Sequence, residues 1–244
     1  MSKVFLIRLS TPRKFPTRLS AHQGTSLVCL NRGMIARSQI FAHRGLHSNG
    51  VAANSLKAMQ AALELGFSIE TDIRDALGKV VIEHDPPGCL SENLLPISQM
   101  LAIPRSSAQI LALNVKSDGL LPLLANDALG GHFFFDMSLP ESIKYKASSA
   151  EIALRVSEFE PYTQSKVSSD APWVWLDCFE SDWFLGSNLV ESIEQKSVIV
   201  VSPELHGREP KDVWDWVISQ NNAGHHVGIC TDFPLEFLEL AKVE

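Results

Sequence analysis

Three short runs carry the residues that could do chemistry: Ala42-His43-Arg44-Gly45, Glu70-Thr71-Asp72 and Glu83-His84-Asp85. Each closes a strand-like stretch, Gln39-Ile40-Phe41, Phe67-Ser68-Ile69 and Val80-Val81-Ile82 respectively. Polar residues at the carboxyl ends of strands are where an α/β barrel keeps its active site. Side chains alternate along a strand, so Glu70 and Asp72 point to one side, about 6–7 Å apart along the axis. Two carboxylates held that way can share one hard divalent cation, and two nearby imidazoles can exchange protons at neutral pH. A lone histidine at a strand end is more often a hydrogen-bonded structural residue. Here the joint pattern outweighs that reading: Asp72 sits between Ile69 and Ile73, where an unpaired carboxylate would be costly to bury. The constellation points to metal-assisted acid–base chemistry.

The elements that must position these residues are legible past residue 38. Eight stretches rich in β-branched or aromatic residues read as strands: Gln39–Ala42, Phe67–Ile73, Ile110–Val115, His132–Met137, Ile152–Ser157, Trp173–Cys178, Ser197–Ser202 and His226–Thr231. Val80–Glu83 is an extra short strand, joined to the second through the turn signal Asp75-Ala76-Leu77-Gly78. Ser55–Leu65 is the clearest helix, with Leu56, Met59, Ala62 and Leu63 at helical spacing, Asn54 or Ser55 as cap and Gly66 as stop. Pro210–Ala223 is another. Strands alternating with helices predict a parallel sheet, and eight of them favour a closed TIM-type (β/α)8 barrel in residues 34–244. Some connections are short for full helices, and a doubly wound sheet is the alternative. Trp173 and Trp175 on one strand read as barrel-to-helix packing, and Trp214 and Trp216 as packing of the last helix.

The 244 residues would be nearly consumed by such a barrel. Net charge is −7; because residues 1–33 hold six bases and no acid, the remainder carries −13. That acidity argues against a nucleic-acid partner, which needs a basic face. No apolar run approaches the ~20 residues of a membrane helix, and residues 34–244 show no exposed aromatic or basic membrane-binding segment. Cys29, Cys89, Cys178 and Cys230 lack zinc-like spacing and read as reduced thiols of a cytoplasmic protein. The basic, Ser-rich leader 1–33 reads either as an extension outside the fold or as a mitochondrial transit peptide.

The ordered set of His43-Arg44-Gly45, an Asn54-Ser55 helix start, Glu70-x-Asp72, His84-Asp85 and Thr231-Asp232-Phe233-Pro234 resembles the glycerophosphodiester phosphodiesterase family. The resemblance runs from about Gln39 to Pro234 and is densest in its first third. It implies a single barrel that hydrolyses a small phosphodiester to a phosphomonoester and an alcohol. His43 and His84 would be the acid–base pair, Glu70 and Asp72 ligands of one divalent metal ion (Mg²⁺ or Ca²⁺), and Arg44 and Lys116 the phosphate contacts. The attacking group would be a hydroxyl of the substrate itself, giving a cyclic phosphate that water opens.

The sequence also departs from that pattern. Asn114 stands where the family has a third acidic ligand, and its amide oxygen can ligate Mg²⁺ or Ca²⁺ without adding charge. Ala53 replaces a glutamate, and Val201-Ser202-Pro203-Glu204 replaces Trp-Thr-Val-Asn. Only about 25 residues separate His84 from the third strand, leaving no room for the cap domain many relatives carry. Arg155, Glu204 and His206 would join the mouth, with Asp136, Asp177 and Asp232 at other strand ends. Two further readings stay open: a catalytically faded barrel that binds a phosphorylated ligand, and a phospholipase C or sphingomyelinase-D-like enzyme.

Overall fold

In the computed structural model the chain is described over residues 35–48, 50–88, 94–124, 130–163, 167, 170–193 and 196–242. The basic leader 1–33, with Cys29, and the later Cys89 lie outside the described residues. The first strand, β1 (Ile40–His43), leads through helix α1 (Leu56–Glu64) to the longer β2 (Ser68–Ala76). Helix α1 forms because Ser55 accepts the Ala58 amide at its start and Ala58, Met59, Ala62 and Leu63 make one buried stripe. Gly66, at φ 88°, ends it.

β2 outruns its barrel neighbours and folds back as β3 (Lys79–Ile82) through Leu77-Gly78. Both turn residues have positive φ, 49° and 75°, as a two-residue hairpin turn matching strand twist requires. β4 (Leu95–Pro96) and α2 (Ile97–Leu101) follow, and among the described residues they are the elements between β3 and β5 (Leu111–Val115). The chain continues through α3 (Leu121–Leu124), β6 (His132–Phe135), α4 (Leu139–Ala147), β7 (Ala153–Val156) and β8 (Trp173–Leu176). It ends with α5 (Leu189–Ser192), β9 (Ser197–Val201), α6 (Lys211–Asn222), β10 (Val227–Thr231) and α7 (Pro234–Ala241). Helices α3 and α5 are single turns, which explains why their connections read as short.

Parallel pairing runs β6–β5–β2–β1–β10–β9–β8–β7. The ring closes where Phe134 bridges Ile152 in parallel and the Phe134 amide donates to Glu151 O at 3.0 Å. The eight strands expected from sequence therefore form a TIM-type barrel, each observed within a few residues of its expected bounds.

Alternation divides the core in two. Ile69, Leu113, Phe134, Val174, Val200 and Ile229 face the helices, whereas Phe41, Ala112, Phe133, Phe135, Trp175, Ile199 and Cys230 fill the barrel. Trp173 and Trp175 belong to the second set: they stack on Phe133 at 4.7 Å and Phe135 at 4.1 Å. This corrects the expectation that they pack barrel to helix. The rings fit inside because small residues, Ala112 and Ala153, share the interior beside them, and at Gly228 a Cβ would lie 2.6 Å from Gln39 O. Trp214 and Trp216 do pack on the helical side, against Phe237 and Phe184.

Candidate active site

The polar layer lies directly above this aromatic filling, at the carboxyl ends of the strands. Register places it: His43 pairs with Glu70, and Asp72 with Asn114. Glu70 and Asp72 are both inward and almost fully buried, at 2% and 0% exposure. Asn114 Nδ2 donates to Glu70 Oε1 at 3.2 Å. Asp72 receives Arg44 Nε at 2.9 Å, Lys116 Nζ at 3.3 Å and a hydrogen bond from Asn54 Nδ2 at 2.8 Å. His43 turns Nε2 toward Glu70 Oε2, 3.9 Å away, and Nδ1 toward Asp232 Oδ1 at 2.7 Å.

Local backbone geometry explains how Arg44 reaches inward. Arg44 and Gly45 are both left-handed, φ 57° and 83°, which turns the chain sharply off β1. Gly45 is required twice, because a Cβ there would also sit 2.6 Å from the Ala58 carbonyl carbon. Asn54, at φ 56°, uses the left-handed tolerance of asparagine to aim its amide at Asp72 while accepting from Thr71 Oγ1 at 2.8 Å.

Burial, together with the adjacent Asp72 charge, pushes the Glu70 carboxyl up to about 7, against the partial relief given by His43, Lys116 and Arg44. Burial pulls the His43 imidazole down, but the Asp232 hydrogen bond and the charges of Glu70 and Asp232 outweigh it and hold the group above its ordinary value. Asp232 is held low: its burial is overcome by its bonds to His43 and His47.

Three buried oxygens here lack a hydrogen-bond partner: Glu70 Oε2, Asp72 Oδ1 and Asn114 Oδ1. Buried carboxylate and amide oxygens on adjoining inward positions, not satisfied by hydrogen bonds, fit a hard divalent cation even with the Lys116 ammonium 3.3 Å from Asp72 Oδ1. His43, His47 and Asp232 offer a second set of ligand atoms, all within 4.8 Å of one another.

The other sequence-derived residues lie around this centre. The β2–β3 hairpin brings its chain back beside Asp72, where the Glu83 amide donates to Asp72 O at 3.2 Å. His84 therefore stands at the rim, its side chain 44% exposed and its Nδ1 bonded to Asp85 Oδ1 at 2.8 Å. Arg155 is committed to Asp136 and Glu160, and Lys116 also approaches Asp136 at 3.8 Å. Asp136 is raised by burial against the pull of Arg155 and Lys116. Glu204 bonds Ser202, Thr231 and the Asp232 amide, bracing the end of β10. His206 Nε2 holds Asp177 Oδ1 at 2.7 Å.

Sequence reasoning missed His47 altogether and saw Asn54 only as a cap. The signals were there: His47 follows His43 in the same loop, and Asn54 precedes a better cap. The mouth also carries individually exposed aromatics. Phe159 (63% exposed) lies 6.0 Å from Phe179, which packs on His206, and Phe233 (45% exposed) follows Asp232. Loops placed them; periodicity could not. Among the described residues no helix is long and apolar enough to cross a membrane.

Compared by sequence, no family model and no curated protein matches the chain. Solved structures do. A Galdieria sulphuraria protein described as a glycerophosphodiester phosphodiesterase aligns with a TM-score of 0.65 and 17% identity, over 86% of this chain and 99% of that one. The chain has the fold of the glycerophosphodiester phosphodiesterases. A glycerophosphodiester phosphodiesterase from Parabacteroides distasonis aligns at 0.62 and 16% identity, covering 85% and 98% of the two chains. An Oleispira antarctica phosphodiesterase, solved with its product sn-glycerol-3-phosphate, aligns at 0.59 and 15%, covering 84% and 97%. The alignment spans nearly the whole length of each neighbour.

Proposed function

We propose that the chain is a metal-dependent phosphodiesterase that cleaves a small glycerophosphodiester-like substrate into a phosphomonoester and an alcohol. The observation that carries this reading is the trio of buried oxygens without a hydrogen bond on Glu70, Asp72 and Asn114, beside His43, Arg44 and Lys116. Those three residues would hold Mg²⁺ or Ca²⁺, which when bound neutralises phosphate charge and polarises a phosphoryl oxygen.

The protein groups have separate tasks. Arg44 and Lys116 would meet the phosphate, the first as a planar fork and the second as a point charge. His43 and His84 each have Nδ1 fixed on an aspartate, Asp232 and Asp85, which leaves Nε2 of each as the working nitrogen. One Nε2 takes the proton of the attacking substrate hydroxyl as its oxygen bonds phosphorus; the other protonates the leaving oxygen as its bond breaks. The cyclic phosphate is then opened by water with the proton roles reversed. Free, buried Cys178 and Cys230 are in keeping with the cytoplasm.

Hydrolysis of a panel of glycerophosphodiesters, lysophospholipids and sphingomyelin, with Mg²⁺, Ca²⁺, Mn²⁺ or EDTA, tests this. Turnover that needs metal and falls about 10²–10⁴-fold in both His43→Ala and His84→Ala supports the reading. Turnover confined to the lipids would follow from the exposed Phe159 and Phe233 and favour the phospholipase-like alternative. A second reading, a barrel that binds a phosphorylated ligand without cleaving it, is favoured by the pairing of Asp72 with Arg44 and Lys116, which already supplies two cations. Anion binding without turnover in any metal would establish it.

A further inference from the structure

After β1 the chain turns back on itself, and three backbone hydrogen bonds hold the turn. Gly45 donates to Ala42 O at 3.1 Å, Leu46 to Ala58 O at 2.9 Å, and Asn54 to Arg44 O at 3.0 Å. The loop so fixed sets His47 beside His43. Both imidazoles meet one atom: Asp232 Oδ1 lies 2.7 Å from His43 Nδ1 and 3.0 Å from His47 Nε2. Side-chain exposures of 20%, 24% and 29% leave the three groups reachable from solvent yet held by packing. Asp232 is itself braced through its amide by Glu204.

This set differs in kind from the oxygen trio. Two imidazoles and one carboxylate suit Zn²⁺ and its neighbours, whereas carboxylate and amide oxygens suit Mg²⁺ or Ca²⁺. Both imidazole nitrogens lie roughly 3 Å from the carboxylate oxygen and all three atoms lie within 4.8 Å of one another, close to what a shell of about 2.0–2.2 Å radius demands. The far nitrogen of His43, Nε2, lies 3.9 Å from Glu70 Oε2, so the ring carries no bond there that competes with an ion on Nδ1.

We propose that His43 Nδ1, His47 Nε2 and Asp232 Oδ1 form a second metal site, selective for a borderline transition ion of the zinc class. Its consequence rests on the phosphodiesterase reading. An ion on Nδ1 takes that lone pair and leaves the neutral ring with its proton on Nε2, where the ring can no longer accept one. Zinc therefore acts as an off-switch on a reaction that Mg²⁺ or Ca²⁺ supports.

Cobalt(II) absorbance, with Zn²⁺ as competitor, tests the site without any turnover. The full chain should bind one equivalent of Co²⁺ with the visible bands of tetrahedral nitrogen–oxygen coordination. Zn²⁺ should displace it and excess Ca²⁺ should not. His47→Asn and Asp232→Asn should each weaken binding on the order of tenfold or more, and Asn114→Ala should leave it in place. Circular dichroism would establish that each variant is folded. Equal affinity in folded His47→Asn, or displacement by Ca²⁺, would overturn the proposal. Zinc inhibition of Mg²⁺-supported hydrolysis would complete it. A chain that bound zinc through His47 yet hydrolysed nothing would uphold this site and sink the phosphodiesterase reading instead.

Discussion

Replacing Glu70 by glutamine should make the metal-free protein more stable, and only above mildly acidic pH. Glu70 is buried among groups that raise its carboxyl from 4.5 to about 7. The folded chain therefore keeps a proton that the unfolded chain releases across that interval. Where the native state binds more protons, stability falls as pH rises, so the penalty is absent below about 4.5 and complete above about 7. At about 1.4 kcal/mol for each pH unit between the two values, it amounts to about 3–4 kcal/mol. Glutamine keeps the oxygen that accepts from Asn114 and carries no charge to desolvate. For a chain of this size that gain is about 6–16 °C in Tm. Thermal unfolding of both proteins in EDTA at pH 4.5 and pH 8 reads it directly. The variant should match the parent at the lower pH and exceed it at the higher. Equal Tm values at pH 8, or the same difference at both pH values, would refute the argument that burial strains this carboxylate. Saturating Ca²⁺ should then raise the Tm of the parent and not that of the variant, because the charge that burdens the empty fold is the one that attracts the ion.

Other perturbations test neighbouring parts. Gly45→Ala places a methyl 2.6 Å from the Ala58 carbonyl carbon at a positive φ, and should cost about 2–4 kcal/mol in chemical denaturation. Asn114→Asp adds a third carboxylate beside Glu70 and Asp72; it should lower Tm in EDTA and tighten Ca²⁺ binding by calorimetry. Trp214→Phe removes the buried indole donor to Ser202 Oγ at 2.7 Å, and should cost about 1–2 kcal/mol at equilibrium.

How much of this was legible in the sequence follows from what each signal measures. Strands such as Ser197–Val201 and Val227–Thr231 are short β-branched runs whose burial on both faces shows in composition, so the barrel could be read without coordinates. Glu70, Asp72, Asn114 and Lys116 lie together because strand alternation and parallel register are periodic. What sequence could not supply was loop geometry. His47 reaches Asp232 only because Arg44 and Gly45 are left-handed, and Phe159 meets Phe179 across two different loops. The tryptophans of β8 were misassigned for a related reason: alternation shows that Trp173 and Trp175 share a face, but which face depends on the small residues opposite them. Helix α4 was overlooked since its capping by Ser138, accepting from Glu141, lies in a polar stretch of weak periodicity.

The closure of the barrel has a mechanical consequence. Every other neighbouring strand pair in the ring shares a ladder of at least three residues, whereas β6 and β7 meet through the Phe134–Ile152 bridge. Above that gap, Asp136 and Arg155 clasp side chain to side chain. The barrel is therefore a hoop with a seam, fastened at its upper edge by one ionic button rather than by backbone. Breathing of the wall should concentrate there, with amides flanking the seam exchanging first. Because Lys116 touches both Asp136 and Asp72, each loosening of the clasp would be felt at the charge balance of the polar layer.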